Sequence, residues 1–246
     1  MAKAEFRFYS ELNFFLHPKK REVSFNYFFA ERASIKDTIE SVGVPHPEVA
    51  LIEVNGNFVD FSYIVQDGDK INVYPSNLWE VNPSISVQSQ PNIARFVLDI
   101  HLGKLANALR LLGFDTLYRN DYDDEELAAI SANEERILLT RDKGLLMRSI
   151  VTYGYYVRST NPDRQIVEVL QRYNLFESVT PFRRCLRCNG LLESVAKEAI
   201  IDQLPESVKL HVNEFHRCCE CEQIYWRGSH YERMQEFINK LLASSP

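Results

Sequence analysis

The sequence predicts an α/β protein built from three small units, and three observations predict it. Residues 3–77 read as strand, strand, helix, strand, strand. Residues 94–180 alternate strand and helix several times. All five cysteines fall between 185 and 221. A chain of 246 residues has room for two or three such units.

In the first unit, apolar and polar residues alternate in Ala4-Glu5-Phe6-Arg7-Phe8-Tyr9 and in Glu22-Val23-Ser24-Phe25-Asn26-Tyr27. Period-two alternation is the mark of half-buried strands, here a hairpin around Pro18-Lys19-Lys20. Ser34 to Val42 reads as a short helix with Ser34 as N-cap and Gly43 as exit. Ala50 to Val54 is a strand, Asn55-Gly56 a tight turn and Lys70 to Pro75 the last strand. This order is that of a β-grasp (ubiquitin-like) fold. Residues 78–93, with Pro83, Gln88-Ser89-Gln90 and Pro91, read as a linker.

In the second unit, 94–180, Phe96-Val97-Leu98 is a strand ending in Asp99. Leu102, Leu105, Ala106, Leu109 and Leu112 recur at helical spacing, and Gly113 supplies the stop. Thr116 to Tyr118 is a short strand and Asp124 to Glu135 a helix. Ile137 to Thr140 is a strand and Lys143 to Ile150 a helix. Tyr155 to Arg158 is a strand, and a helix runs from Pro162 to Tyr173 with proline in its first turn. This pattern predicts a compact parallel-sheet layer fold. No Gly-rich phosphate loop follows a strand, which disfavours a dinucleotide or NTP site.

The third unit, 181–240, holds two C-x2-C knuckles, Cys185/Cys188 and Cys218/Cys221. Each knuckle can place two thiolates on one turn, and the two together complete a four-sulfur zinc site. Cys219 makes the second motif ambiguous; Cys218 with Cys221 is preferred because C-x-C has less room to wrap an ion. An iron–sulfur cluster and redox thiols are the alternatives. The final helix is expected after Ser229, and Trp226, Arg227, His230 and Arg233 are candidates to contact RNA by stacking and charge, or else simply cover the ribbon.

Charge sharpens the picture. The net charge of −6 argues against a uniformly basic nucleic-acid binder. Residues 91–184 are balanced, with 13 basic and 13 acidic side chains, yet the acids are clumped and the arginines spread. Such a surface suits an acidic pocket inside a basic surround. No apolar run reaches the ~18–20 residues of a membrane span. The start, Met1 to Glu5, lacks a signal-peptide layout, so a cytoplasmic protein is expected.

The acidic pocket has named candidates. Two apolar strands end in Asp99 and, after Thr140-Arg141, in Asp142; Asp123 and Asp124 open the helix between them. If the strands are parallel neighbours, these carboxylates emerge at one sheet edge, where open α/β sheets bind ligands. Several carboxylates there suit a hard divalent cation.

The motifs Phe96-Val97-Leu98-Asp99, Leu109-Arg110-Leu111-Leu112-Gly113-Phe114-Asp115-Thr116, Asp123-Asp124-Glu125-Glu126-Leu127 and Leu139-Thr140-Arg141-Asp142 are in the order of a known family. So are the four cysteines and Tyr225-Trp226-Arg227-Gly228-Ser229-His230-Tyr231. Together they resemble the Mut seven C-terminal ribonuclease family, whose fold is PIN-like. The family is commonly found with a ubiquitin-like domain in front. Residues 3–77 also resemble ThiS- and MoaD-like sulfur carriers, but the chain continues past Pro75 into Ser76-Asn77 with no terminal Gly-Gly. A docking module is therefore expected in place of sulfur carriage.

The resemblance implies a metal-dependent ribonuclease, with Asp99, Asp124 and Asp142 holding Mg²⁺ or Mn²⁺ and Asp123 in reserve. It implies structural zinc on the cysteines, RNA as substrate, and Lys104, Arg110, Arg141 and Lys143 as candidates to hold the RNA backbone. The helix from Leu102 to Leu112 contains no acid to match the family's usual helical carboxylate. That feature supports the alternative, a non-catalytic RNA- or ribosome-binding adaptor.

Overall fold

The structure is a computed structural model, which describes residues 1–75, 86–87 and 94–243. Most of the expected linker at 78–93 lies outside the described residues. In chain order the elements are β1 (Ala2–Phe8), β2 (Phe25–Phe29), α1 (Ile35–Val42), β3 (Val49–Val54), β4 (Asn57–Phe58), β5 (Lys70–Pro75), β6 (Phe96–Leu98), α2 (Gly103–Leu111), β7 (Thr116–Leu117), α3 (Asp124–Asn133), β8 (Ile137–Thr140), α4 (Lys143–Leu146), β9 (Gly154–Tyr156), α5 (Pro162–Arg172), β10 (Leu192–Val195), α6 (Glu206–His211), β11 (Phe215–Cys218), β12 (Ile224–Trp226) and α7 (Ser229–Ala243). They gather into two compact units, Met1–Ile93 with Asp121–Val157, and Ala94–Asn120 with Arg158–Pro246.

The first unit starts with a five-stranded sheet in the order β2-β1-β5-β3-β4. The alternation along β1 buries Ala4, Phe6 and Phe8 on one face. β1 pairs antiparallel with β2 and parallel with β5. A parallel central pair needs a long crossover, and α1 supplies it by laying Ile35 and Ile39 on the buried face. Ser34 caps α1, its hydroxyl accepting from the Asp37 N–H at 3.1 Å. The core is Phe6, Phe8, Ile35, Ile39, Ile52, Ile71 and Val73, with Phe25 stacked on both β1 rings. Each such side chain contributes about 1.5–3 kcal/mol by leaving water.

Asn55 and Gly56 both have positive φ, as a two-residue hairpin turn between β3 and β4 requires. The buried Asp69 carboxylate holds the next loop, accepting from the Asn55 amide, the Tyr63 hydroxyl and the Gln66 N–H. The expected hairpin of β1 and β2 around Pro18-Lys19-Lys20 forms, its connection running through two 3-10 turns, Ser10–Phe15 and Pro18–Lys20. Leu12, Phe15 and Leu16 from that connection join the core, so the apolar residues there serve packing instead of pairing.

Residues 121–157 complete the first unit. β8 and β9 are parallel, with Leu138 opposite Gly154 and Thr140 opposite Tyr156. β8 is buried throughout, as expected of a parallel strand covered on both faces. α4 ends one turn in, short of the expected Ile150, because Arg148, Ser149 and Ile150 face solvent with nothing to pack on. The turn His46–Glu48 meets β9 directly. The fully buried Glu48 accepts from the Tyr156 N–H at 2.7 Å. Each His46 ring nitrogen faces an oxygen, Glu40 at 2.6 Å and the Val151 carbonyl at 2.7 Å. Phe14 and Phe15 pack on the Tyr156 ring at 5.5 and 5.6 Å. Val87 also belongs here: its N–H donates to Ala50 O at 2.7 Å.

In the second unit, β6 and β7 are parallel, with Phe96 opposite Thr116. α2 buries Leu105, Ala106 and Leu109 and packs against α5. Asn161 caps α5 and Pro162 opens it. Gly113 closes α2 with φ +95°, and a Cβ there would stand 2.2 Å from the Thr180 carbonyl oxygen. β10, β11 and β12 form an antiparallel three-stranded ribbon. α6 and two 3-10 turns lie between the knuckles and bury Ile200 and Leu204 against Phe215.

The Glu48 contact makes a test. Glu48→Ala leaves the Tyr156 N–H without its carboxylate, and chemical denaturation is expected to show a loss of about 1–3 kcal/mol. An unchanged midpoint would mean the contact contributes nothing to folding.

Candidate functional site

The four cysteines are built from two matching turns. In the first, Cys185 N–H donates to Gly190 O, and Asn189 N–H returns to Cys185 O. In the second, Cys218 N–H donates to Gln223 O, and Glu222 N–H returns to Cys218 O. Each turn reverses through a left-handed residue just after its second cysteine, Asn189 at φ 74° and Glu222 at φ 59°. The Gly190 N–H points at Cys188 Sγ and the Glu220 N–H at Cys218 Sγ. The knuckles approach closely at Gly190, where a Cβ would meet Cys218 Sγ at 2.9 Å.

All four Sγ atoms lie within 4.8 Å of one another. Cys185 and Cys221 are 3.6 Å apart, and Cys188 and Cys218 3.3 Å. Four sulfurs at ~2.3 Å from one zinc ion stand roughly 3.8 Å apart, so the set is positioned to bind one metal ion. Cys219 is exposed and outside the set, and His216 and His211 are exposed. Burial pushes the Cys185 thiol up, but the Tyr225 hydroxyl and nearby N–H groups outweigh it and bring it down to about 7. Burial pushes Cys188 up to about 12. Crowded thiols resist ionising together unless a cation neutralises them.

The ribbon is latched to the α2–β7 loop by residues the motif search did not single out for this role. Asn189 is buried; its amide donates to Asp115 at 2.8 Å and accepts from the Thr116 N–H at 2.9 Å. Arg184 pairs with Asp115 at 3.5 Å and donates to the Gly113 and Asn189 carbonyls. The readable signal was Asn189-Gly190, a turn dipeptide directly after the first knuckle. Arg110, one of the RNA-backbone candidates, is 4% exposed, and its guanidinium donates to the Thr116, Tyr118, Leu186 and Arg187 carbonyls. A buried group so engaged acts as a structural strut.

Each predicted acid has a defined local setting. Asp99 follows β6, is 7% exposed, and stands at the start of the 3-10 turn Ile100–Leu102 without making a side-chain cap. Asp142 follows β8 and caps α4, accepting from the Gly144 N–H at 2.6 Å and the Leu145 N–H at 3.3 Å. The cap of α3 is Asp123, which accepts from the Glu126 N–H at 2.7 Å. Asp124 is the first helical residue and exposed. Asp124 and Asp142 belong to the first unit and Asp99 to the second. Lys104 and Lys143 are exposed. Arg141 donates to the Val157 carbonyl at 2.8 Å and lies over the Tyr156 ring. Arg227 is exposed, pairs with Glu214 at 3.3 Å and sits 5.5 Å from the Tyr231 ring; His230 is exposed beside it.

With this geometry in view, the comparisons decide the family. The Mut7-C RNAse domain model matches residues 94–238. The chain belongs to the Mut7-C RNase family. The Mut7-C ubiquitin model matches residues 1–78, which accounts for the β-grasp sheet in front. No curated protein and no solved structure matches the chain. The Mut7-C match covers both the strands that carry the acids and the four-cysteine ribbon. Among the described residues no helix is long and apolar enough to cross a membrane.

The geometry predicts one bound metal ion per chain. Elemental analysis should find it lost in Cys218→Ser and retained in Cys219→Ser; the reverse result would reassign the second knuckle.

Proposed function

We propose that this Mut7-C protein is a metal-dependent ribonuclease that hydrolyses RNA phosphodiester bonds in the cytoplasm. The observation that carries the reading is the Mut7-C RNAse match over 94–238, which includes every acid named below. Asp99, Asp124 and Asp142 hold Mg²⁺ or Mn²⁺, for which oxygen donors of this kind are suited. Such an ion, when bound, lowers the pKa of a water and offsets the charge that builds on the phosphorus oxygens. Structural zinc occupies Cys185, Cys188, Cys218 and Cys221 and holds the ribbon in shape.

Lys104, Lys143 and the outer edge of Arg141 meet the RNA backbone, with Arg227 and His230 adding contacts from the ribbon. Binding is therefore weakened as salt rises. The ubiquitin-like module serves docking. The alternative, a non-catalytic RNA- or ribosome-binding adaptor, is supported by the absence of an acid from α2.

Conservative variants separate chemistry from folding. Asn caps a helix about as well as Asp, so Asp142→Asn keeps α4 while removing a charge. Asp124 sits at a first helical position, where loss of its charge costs about 0.3–1 kcal/mol. Purified full-length protein is expected to cut labelled single-stranded or structured RNA with Mg²⁺ or Mn²⁺. Asp99→Asn, Asp124→Asn or Asp142→Asn should each slow cleavage by about a hundredfold or more with melting little changed. RNA binding without cleavage in the wild type would favour the adaptor.

A further inference from the structure

The second unit contains a cavity of about 280 Å³ beside the ribbon, apart from the acids. Its walls include Phe182, Arg184, His216, Trp226, Arg227 and Tyr231. Ligand pockets for drug-sized molecules run from about 300 to 1,000 Å³, so this one suits a single flat ring system. Phe182 and Tyr231 stack with centroids 4.5 Å apart and planes at 26°. The Arg227 guanidinium lies 5.5 Å from the Tyr231 ring, and Trp226 is 36% exposed.

Phe182 is held in an unusual conformation. Its φ is +60°, a region that bulky side chains rarely enter. Two backbone bonds hold the Pro181-Phe182 turn against the end of α2: Thr180 N–H donates to Leu112 O at 2.9 Å and Phe182 N–H to Leu111 O at 3.0 Å. Strain of this kind is kept where the surroundings over-determine it, and it is enriched at binding sites. Here it turns an aromatic ring into the cavity wall. The wall also carries an available cation. Arg184 is held by Asp115, whereas Arg227 pairs with Glu214 in a well-exposed contact. An exposed pair is worth about 0–1 kcal/mol, so Arg227 can exchange Glu214 for a phosphate at little cost.

We propose that this cavity receives one unpaired nucleobase of single-stranded RNA, stacked on Trp226 and the Phe182–Tyr231 pair, with Arg227 on the adjoining phosphate. A π-face, a cationic rim and room for one ring system are what sequence-tolerant single-strand binding uses. The site thus holds the strand at a place separate from the carboxylates and favours unpaired substrate. The proposal rests on the ribonuclease reading for its choice of RNA.

The test uses full-length, metal-replete protein carrying Asp142→Asn, without added Mg²⁺ or Mn²⁺. The probes are single-stranded 12-mer RNAs with one 2-aminopurine at successive positions, matched 12-mers with an abasic nucleotide there, and a duplex of the same sequence. Expected results are quenching of 2-aminopurine in a preferred position, about tenfold weaker binding of the matching abasic strand, and weaker binding of the duplex. Trp226→Ala should abolish the abasic penalty, and Arg227→Ala should weaken intact and abasic strands alike, while metal content and circular dichroism stay unchanged. Phe182→Gly relieves the positive φ and removes the ring; it should remain folded and lose the quenching. Equal binding of intact and abasic strands, or quenching that survives Trp226→Ala and Phe182→Gly, overturns the pocket. Cleavage by the parent protein without base-dependent binding leaves the nuclease and removes the pocket. Base-dependent binding without cleavage does the opposite.

Discussion

The join between α2, β7 and the first cysteine knuckle depends on one buried cation. A guanidinium taken out of water costs several kcal/mol unless its N–H groups find acceptors. Arg110 finds four carbonyls, two at the β7 end and two inside the first cysteine knuckle. Those carbonyls in turn gain partners that a loop backbone does not provide by itself. The result is that α2, β7 and the knuckle have one relative arrangement. Asn189 and Arg184 repeat the linkage through Asp115 a few residues away. The ribbon is therefore part of the same folded unit as β6 and Asp99, and not a bead joined by a tether. A single family match running from 94 to 238 agrees with that construction.

The acids differ in how much of each carboxylate the helix caps use. Asp142 caps α4 through one oxygen, Oδ1, which accepts both N–H groups. Its other oxygen is not used by the cap. At α3 the two tasks are split between neighbours: Asp123 takes the cap and Asp124 is left exposed at the first helical position. Asp99 differs from both, since it makes no cap yet is 7% exposed.

Much of this was legible in the sequence because it is local. β5 and β8 were bounded to the residue by apolar runs with clear breaks, and α1 by Ser34 and Gly43. The cysteine spacing led to four sulfurs that the structure brings within reach of one ion. What stayed hidden depends on contacts between distant segments. Arg110 could be read as a structural cation, but its partners could not: they are backbone carbonyls, two near β7 and two in the knuckle some 76 residues later in the chain. The length of α4 was misjudged because helical spacing continues past the point where the chain has a surface to pack on. α6 has no strong periodicity of its own and forms where Ile200 and Leu204 cover Phe215. Phe182 carries no sequence signal at all, because its left-handed backbone is imposed by the carbonyls of Leu111 and Leu112.

The contact of the β-grasp sheet with β9 gives the front module a physical route toward an acid of the proposed site. The Tyr156 N–H of β9 donates to the buried Glu48 carboxylate, which takes the place a paired strand would have. Gly154 lets α4 pack closely on β9, since a Cβ there would press on Leu146 at 2.6 Å. Phe14 and Phe15 then rest on one part of the Tyr156 ring, and the Arg141 guanidinium lies over that same ring at 5.9 Å. Arg141 is fixed further by the Val157 carbonyl and precedes Asp142 directly. Residues from four stretches of one unit thus meet at Tyr156. The β-grasp module is therefore packed on β9 through Glu48, Phe14 and Phe15 and does not merely hang from the chain.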